Sequence, residues 1–188
     1  MKKSNFLSAR TLSVCLLSAL WLSPAMAEET VCNGSLGAVT VDNLRVPQNA
    51  TCRLTRTRVK GTITVQNNAA LVARKVVVIG NVQAENARQV NVLEGARVGG
   101  SVQLVQGGGA KVFDSFIDSD ILFDSNTAYF RALRNNVGGN IQAFQNSGGV
   151  EISSNTINGN LQCKENFPEP IGGGNVVGGN KEDQCSGL

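Results

Sequence analysis

The sequence predicts an all-β fold, a single-stranded parallel β-helix of about six to seven coils of roughly 20 residues. Three observations predict this fold. A short motif recurs about every 20 residues, apolar residues recur at fixed offsets from it, and Gly and Asn mark the bends. A helical solenoid is the competing architecture, but so short a repeat cannot hold two helices, and β-branched, Gly-rich segments oppose helix formation.

The motif is a tetrad of glycine, a small polar residue, an aliphatic residue and a polar residue, as in GNVQ and GNIQ. Its copies begin 19 or 20 residues apart, and we call their first positions the anchors. The anchors are Gly61, Gly80, Gly100, Ser119, Gly139, Gly159 and Gly179. So regular a step predicts that each copy occupies the same place in successive coils.

Aliphatic residues stand two positions before every anchor and two positions after most of them. The preceding column is Val59, Val78, Val98, Ile117, Val137, Ile157 and Val177. Apolar residues two apart, with polar neighbours between them, form one face of a strand. One coil cannot bury these side chains alone, but coils stacked about 4.8 Å apart bury them as interior columns.

A further column consists of Asn135, Asn155 and Asn175, each four residues before an anchor. Asn tolerates the left-handed backbone of tight bends, and stacked amides hydrogen-bond to one another. We therefore predict a structural Asn stack at one bend of the coil.

The first 27 residues have the pattern of an export signal. Lys2, Lys3 and Arg10 give a charged start, an apolar run covers residues 11–23, and Ala25 and Ala27 supply a cleavage signature. We predict an exported protein, periplasmic or extracellular, without a transmembrane segment. The expected organisation is a signal peptide at 1–27, an N-terminal cap and first coil at 28–53, and β-helix repeats with a C-terminal disulfide cap at 54–188.

Charge and composition exclude several classes of function. Without the signal, 14 Lys and Arg balance 14 Asp and Glu, so the electrostatic support for nucleic-acid binding disappears. The chain has no His, which excludes Ser-His-Asp and Cys-His catalysis and His-ligated metals. We expect no cofactor, with calcium as a weaker possibility at the carboxylates described below.

Four cysteines follow the predicted signal, and an even number in an exported chain indicates disulfides. Cys32 and Cys52 are 20 residues apart and Cys163 and Cys185 are 22 apart, about one coil in each case. Stacked coils bring such pairs within bridging distance. We predict the bonds Cys32–Cys52 and Cys163–Cys185, each joining a terminal coil to its neighbour.

Polar side chains form two columns beside the tetrads. The glutamines three residues after the anchors are Gln83, Gln103, Gln142 and Gln162. The residues one after the anchors are Thr62, Asn81, Ser101, Asp120, Asn140, Asn160 and Asn180. Strand alternation predicts that both columns point outward and form a flat, amide-rich face, able to bind sugar hydroxyls or another sheet. The alternative is that these ladders only stabilise the stacked strands.

The fourth coil, which begins near residue 114, departs from the repeat because Ser119 replaces the anchor glycine. The candidate binding residues here are Asp114, Phe116, Asp118, Asp120, Leu122 and Asp124. Clustered carboxylates can hold Ca²⁺ or act as an acid and base pair. An alternative catalytic set is Asp118, Asp120 and Arg131, and the other alternative is a solvated acidic turn.

Basic residues are concentrated in the coils that come first along the chain. Residues 53–111 carry a net charge of +7 and residues 112–188 carry −5. Arg56, Arg58 and Lys60 alternate with other residues and are predicted to line one exposed edge. This edge is a candidate site for an anionic polysaccharide, a lipid head group or the acidic half of a second copy. The alternative is a strand protected from aggregation by its charge.

The GN[IV]Q tetrads, the Asn column and the ending LQCKENFPEPIGGGNVVGGNKEDQC resemble small exported bacterial proteins related to the pectate lyase-like superfold. This resemblance implies a right-handed β-helix over about residues 54–185. Pectate lyases place a calcium-binding Asp cluster beside a catalytic Arg, which the resemblance would locate at the fourth-coil carboxylates with Arg131 or Arg134. The aliphatic coils also resemble bactofilin-type rods, which form polymers.

These observations favour a non-enzymatic, exported β-helical protein that binds polysaccharide or a cell-surface protein through a flat face, with self-association as a further possibility. The alternative is a minimal polysaccharide lyase or hydrolase that uses the fourth-coil carboxylates. Ice binding would need a long Thr-x-Thr array, which this chain lacks.

Overall fold

Three parallel β-sheets wind around one apolar core in the computed structural model, which describes residues 28–188. The predicted signal peptide lies outside the described residues. Each coil contributes one strand to each sheet, so the fold is the predicted all-β parallel solenoid. No helix in the described part of the chain is long and apolar enough to cross a membrane.

The strands are short, and we name the sheets A, B and C in the order in which the chain enters them. Sheet A contains β1 (Glu29–Val31), β4 (Asn43–Val46), β7 (Ile63–Val65), β10 (Val82–Glu85), β13 (Val102–Val105), β16 (Ile121–Asp124), β19 (Ile141–Phe144), β22 (Leu161–Lys164) and β25 (Lys181–Asp183). Sheet B contains β2 (Gly34–Leu36), β5 (Thr51–Thr55), β8 (Ala70–Arg74), β11 (Gln89–Leu93), β14 (Gly109–Phe113), β17 (Phe130–Leu133), β20 (Val150–Ser153) and β23 (Ile171–Gly173). Sheet C contains β3 (Thr40–Val41), β6 (Arg58–Val59), β9 (Val77–Val78), β12 (Arg97–Val98), β15 (Phe116–Ile117), β18 (Asn136–Val137), β21 (Thr156–Ile157) and β24 (Val176–Val177).

The predicted six to seven coils are too few, because the described residues form eight complete coils and a final strand of sheet A. The additional coil lies before the first anchor, where the tetrad is absent. There β1 pairs with β4 at a step of 14 residues, Glu29 opposite Asn43, whereas β10 pairs with β13 at a step of 20, Val82 opposite Val102. A short, irregular first coil leaves no periodic signal in the sequence.

The predicted aliphatic columns fill the interior. Val98, Ile117 and Val137 are consecutive partners in sheet C, and none exposes more than 1% of its surface. Each such side chain contributes roughly 1.5–3 kcal/mol on burial. Phe123 and Phe130 are the largest buried side chains, and their rings pack edge to face at 4.9 Å. The core is therefore a set of stacked columns, as the repeat predicts.

The predicted Asn stack occupies the corner between sheets B and C. Asn155 Nδ2 donates to Asn175 Oδ1 at 2.9 Å and to the carbonyl of Ala132 at 2.8 Å. Its own Oδ1 accepts from the backbone N–H and from Nδ2 of Asn135 at 2.9 and 3.0 Å. All four hydrogen-bonding positions of this buried amide are thus used, which the interior of a protein requires.

A second Asn stack, which we did not predict, lies at the corner between sheets A and B. Asn126 and Asn146 are joined at 2.9 Å, Asn146 and Asn166 at 2.8 Å, and Gln184 ends the series. The three asparagines stand seven residues after the anchors Ser119, Gly139 and Gly159, so the repeat did contain the signal. Both stacks are confined to the later coils.

The corner between sheets C and A corrects one prediction. The column one residue after the anchors lies at the bend and not on the face of sheet A beside the glutamines, and it bonds to the coil that follows. Asn81 Oδ1 accepts from the N–H of Ser101 at 2.8 Å, Asp120 Oδ1 from that of Asn140 at 2.7 Å, and the pattern runs from Asn43 to Asn180. Strand alternation fails here because these residues belong to the bend.

This corner also explains the anchor glycines. A Cβ at Gly100 would overlap the side chain of Asn81 and the carbonyl of Gly80 in the preceding coil. Ser119 is the one described anchor that has a side chain. In the preceding coil the residue one after the anchor is Ser101, whose side chain is the shortest of those residues, which we call the corner column. A glycine at the anchor is therefore a requirement of close coil contact.

Both predicted disulfides are confirmed. The Cα atoms of Cys32 and Cys52 are 5.6 Å apart and those of Cys163 and Cys185 are 5.1 Å apart, and all four residues are buried. Cys52 lies in the second strand of sheet B and Cys163 in the eighth of sheet A. Each bond joins a terminal turn to its neighbour.

Candidate functional site

The outer face of sheet A carries a column of mainly polar side chains, which we call the glutamine column. Backbone pairing aligns Thr64, Gln83, Gln103, Leu122, Gln142 and Gln162. All six are exposed or half-buried, because alternate residues of each strand face away from the core. The structure thus brings the four predicted glutamines into one column, which Leu122 interrupts.

The amides of this column are ordered by hydrogen bonds between coils. Gln83 Nε2 donates to Gln103 Oε1 at 3.1 Å, and Gln142 Nε2 donates to Gln162 Oε1 at 2.8 Å. Gln162 Nε2 continues the series to Glu182 Oε2 at 2.8 Å. Each amide has two N–H groups and a carbonyl with two lone pairs, so one bond to each neighbour leaves further donors and acceptors for a ligand.

A shallow groove of 660 Å³ lies over the first half of the glutamine column. Gln83 and Gln103 lie within it, and Gln48 and Gln66 line its side next to the corner with sheet B. Glu85 is the only ionisable residue of its lining. The groove therefore offers neutral hydrogen-bonding groups along the axis of the solenoid.

The carboxylates predicted as one fourth-coil cluster lie on the fifth and sixth coils of the structure and are distributed around the solenoid. Asp114 follows the end of sheet B, Asp118 follows the sheet C strand, Asp120 lies at the corner, and Asp124 ends the sheet A strand. Among residues 28–188, no three His, Cys, Asp or Glu side chains are placed to hold a metal ion. The calcium site that the pectate lyase resemblance implies does not fit this arrangement.

Asp114 and Asp120 already have partners within the protein. Arg134 donates from Nε and Nη2 to the two oxygens of Asp114 at 2.7 and 2.9 Å, and these bonds hold the pKa of Asp114 below its usual range. Asp120 accepts from the backbone and side-chain amides of Asn140 at 2.7 and 3.0 Å. Both carboxylates therefore contribute to contacts between coils.

The alternative catalytic set is not brought together on one sheet. Arg131 lies on sheet B, where its guanidinium is 4.8 Å from the ring centre of Tyr129 and its Nε is 3.1 Å from Glu151 Oε2. Asp118 and Asp120 flank the corner between sheets C and A. The structure gives this set no common cleft.

The two apolar members of the predicted fourth-coil patch lie on different faces. Phe116 is on sheet C, 41% exposed, and its ring centre is 4.4 Å from the guanidinium carbon of Arg97. Leu122 belongs to the glutamine column on sheet A. The patch is therefore not one surface, and Phe116 is associated with the basic half of the solenoid.

The predicted basic edge is exposed, and one of its three charges is neutralised by an ion pair. Lys60 Nζ lies 2.8 Å from Asp42 Oδ1, and this hydrogen bond and the Lys60 charge hold the pKa of Asp42 below its usual range. Arg56 and Arg58 form no salt bridge among the described residues. The edge therefore contributes two free cations, and Lys60 is neutralised locally.

The disulfides, the fold and the comparisons with known proteins bear on function. The paired cysteines are typical of proteins that fold in an oxidising environment outside the cytosol. The fold alone does not specify an activity, because parallel β-solenoids serve as scaffolds for unrelated sites. Comparison with the models of known protein families, with curated proteins and with solved structures yields no match to this chain.

Proposed function

We propose that this protein is exported and binds a polysaccharide without catalysing its cleavage, through the glutamine column and the groove above it. The observation that carries the proposal is the ordered series of amides that face outward from sheet A, with Gln83 and Gln103 in a groove that has a single ionisable residue. The leader pattern and the two disulfides support export.

The chemistry of the groove fits a neutral sugar chain. A primary amide donates and accepts at neighbouring atoms, so it can bind two adjacent hydroxyl groups. The bond between Gln83 and Gln103 holds both side chains in place before a ligand arrives, which lowers the entropic cost of binding. The lining contains no aromatic ring, so we expect weak binding per sugar and higher avidity along a polymer.

The same geometry gives little support to a lyase or hydrolase. A hydrolase places two carboxylates on either side of one scissile bond, and the lyase that the resemblance implies would need a calcium-binding Asp cluster beside a catalytic Arg. Here Asp114 is paired with Arg134 and Asp120 with Asn140. The proposed protein is therefore a binding module.

Titration with neutral polysaccharides tests the proposal. Purified residues 28–188 are titrated calorimetrically with dextran, a mixed-linkage β-glucan and a galactomannan. We expect one of them to bind, and Gln83→Ala with Gln103→Ala to weaken that binding about tenfold, since each lost hydrogen bond contributes about 0.5–1.5 kcal/mol.

Gln89→Ala is the matched control, because Gln89 is an exposed glutamine on sheet B. It should leave the affinity unchanged. The proposal is overturned if none of the three polymers binds, or if the control weakens binding as much as the groove variant. Binding of a protein partner to sheet A, with no binding of any polysaccharide, would also overturn it.

A further inference from the structure

The outer face of sheet C and the neighbouring corner carry a line of cations that recur at two fixed offsets from the anchors. Arg58 and Arg97 both pair with Val77 of the intervening strand, so they occupy one column two coils apart. Arg56 and Lys75 follow directly after the paired residues Thr55 and Arg74 and flank this column at the neighbouring corner. We call Arg56, Arg58, Lys75 and Arg97 the cationic strip.

The charges of the strip are not compensated within the described residues. All four side chains are exposed. None of them forms a salt bridge with any residue of the described range, 28–188. The neighbouring cations differ, because Lys60 is paired with Asp42 and Arg74 with Glu94. The strip therefore concentrates four net positive charges on a short length of the solenoid.

The spacing of the strip is set by the coils. Strands of neighbouring coils lie about 4.8 Å apart, so Arg58 and Arg97 are separated by roughly 10 Å along the axis, and Arg56 and Lys75 by roughly 5 Å. Sheet C is the narrowest sheet, because its strands are only two residues long. Each strand has room for few outward side chains, so the cations are arranged along the axis of the solenoid and not across it.

One member of the strip is held in a defined orientation. The guanidinium of Arg97 stacks over the ring of Phe116 at 4.4 Å. Stacking uses the face of the guanidinium and leaves its N–H edge available for a carboxylate or sulfate. Arg56 and Lys75 both have left-handed backbone conformations, with φ of 57° and 53°. Both side chains are exposed to solvent at this corner.

We propose that the cationic strip binds a linear acidic polysaccharide. The ligand is distinct from the neutral chain assigned to the glutamine column, and it occupies another sheet. Regularly spaced cations along one line match a polymer whose carboxylates or sulfates recur along its length, and the N–H edge of arginine can donate two hydrogen bonds to such oxyanions. A membrane surface would instead favour cations and apolar groups spread over a broad face.

Polygalacturonate and dextran sulfate serve as probes, with neutral dextran as the reference polymer. Their affinities for residues 28–188 are measured by calorimetry at low and near-physiological ionic strength. We expect both anionic probes to bind more weakly as salt screens the charges. Arg58→Gln with Arg97→Gln should weaken binding about tenfold, while thermal unfolding and any binding to the glutamine column stay unchanged.

The matched control is Arg53→Gln with Lys111→Gln, which removes the same charge from exposed positions of sheet B. We expect it to change the affinity by less than about twofold. Phe116→Leu keeps every charge but removes the support of Arg97, and should weaken binding by a few-fold, with Phe116→Tyr restoring it.

Equal losses in the two double variants would show a diffuse charge effect and overturn the proposal. If anionic lipid vesicles bind and neither anionic polymer binds, the strip is assigned to a membrane surface, and the proposal is overturned. Loss of anionic binding in the Gln83 and Gln103 variant would merge the two surfaces and contradict separate sites. Failure of neutral polymers to bind bears only on the glutamine column.

Discussion

Asn155 shows how much one side chain contributes to this architecture. Its amide makes four hydrogen bonds with three neighbouring residues, Ala132, Asn135 and Asn175, and only 1% of its surface is exposed. Replacing it would leave donors and acceptors of two other coils buried without partners. The cost of an unsatisfied buried group, about 1–3 kcal/mol, exceeds the gain from an ordinary hydrogen bond.

We therefore expect Asn155→Ala to lower the free energy of unfolding by about 3–5 kcal/mol. Urea denaturation of residues 28–188 measures it. Asn158→Ala is the control, because Asn158 is exposed in the same coil, and it should change stability by less than about 0.5 kcal/mol. Similar effects of the two variants would contradict a structural role for the stack.

The ion pair of Asp114 and Arg134 gives a pH dependence with a definite sign. Arg134 lowers the folded-state pKa of Asp114, so the pair adds stability above the unfolded pKa of about 3.9. That contribution is lost as the pH falls through the folded pKa, where Asp114 takes up its proton. Since both side chains are about half exposed, solvent screening keeps this contribution small.

Arg134→Gln tests this dependence. We expect the pKa of Asp114, followed by carbon-detected NMR, to rise towards that of a free carboxyl, and the variant to lose stability at neutral pH. The stability difference between variant and parent should vanish at a pH below the folded pKa. A difference that persists unchanged in acid would assign the effect to lost packing by Arg134.

At the scale of strands and corners, sequence reasoning succeeded where the repeat is regular. The tetrads located the sheet A strands from β7 onward, the aliphatic columns and the two disulfides. The sequence predicted a cap and one coil before the first anchor, whereas the structure has two coils there. The outermost coil was missed because its step of 14 residues and its missing tetrad leave no periodic pattern. The corner column was assigned to the wrong surface because β7 begins at Ile63, so Thr62 belongs to a bend.

The candidate surfaces were predictable to different degrees. The glutamine column follows from one offset within the tetrad, and the structure aligns it as predicted. The cationic strip was only half predicted, although the repeat contained its signal. Arg58 and Arg97 each stand three residues before an anchor, and Arg56 and Lys75 each stand five residues before one. The predicted edge followed neighbouring residues along the chain and not equal offsets in successive coils.

The terminal disulfides are expected to stabilise their own coils and not the whole solenoid. Cys163→Ser with Cys185→Ser opens a loop of 22 residues, for which chain-entropy arguments give about 3 kcal/mol. Coils contact almost exclusively their neighbours, so the loss should appear as faster hydrogen exchange in β25 while β13 stays protected. Cys32→Ser with Cys52→Ser should affect β1 and leave β25 protected, and uniform loss of protection in either variant would contradict local action.

At the scale of the whole molecule, the solenoid behaves as a stack of nearly equivalent layers. Eight coils share three sheets, and interior columns, corner amides and anchor glycines all repeat in the same register. Stability is then a sum of coil terms and interfaces between neighbours. Removing one complete coil should preserve every type of contact.

Deletion of residues 139–158 tests this property, because it removes one period and joins Gly138 to Gly159. Ile121 then meets Leu161, Asn135 meets Asn175 and Asn126 meets Asn166, with the C-terminal disulfide retained. We expect a folded, cooperative β protein of lower stability, measured by circular dichroism and urea denaturation. Deletion of residues 139–148 removes half a period and places polar corner residues against the core, so it should not fold. If the half-coil deletion folds as well as the full-coil deletion, register does not determine this fold.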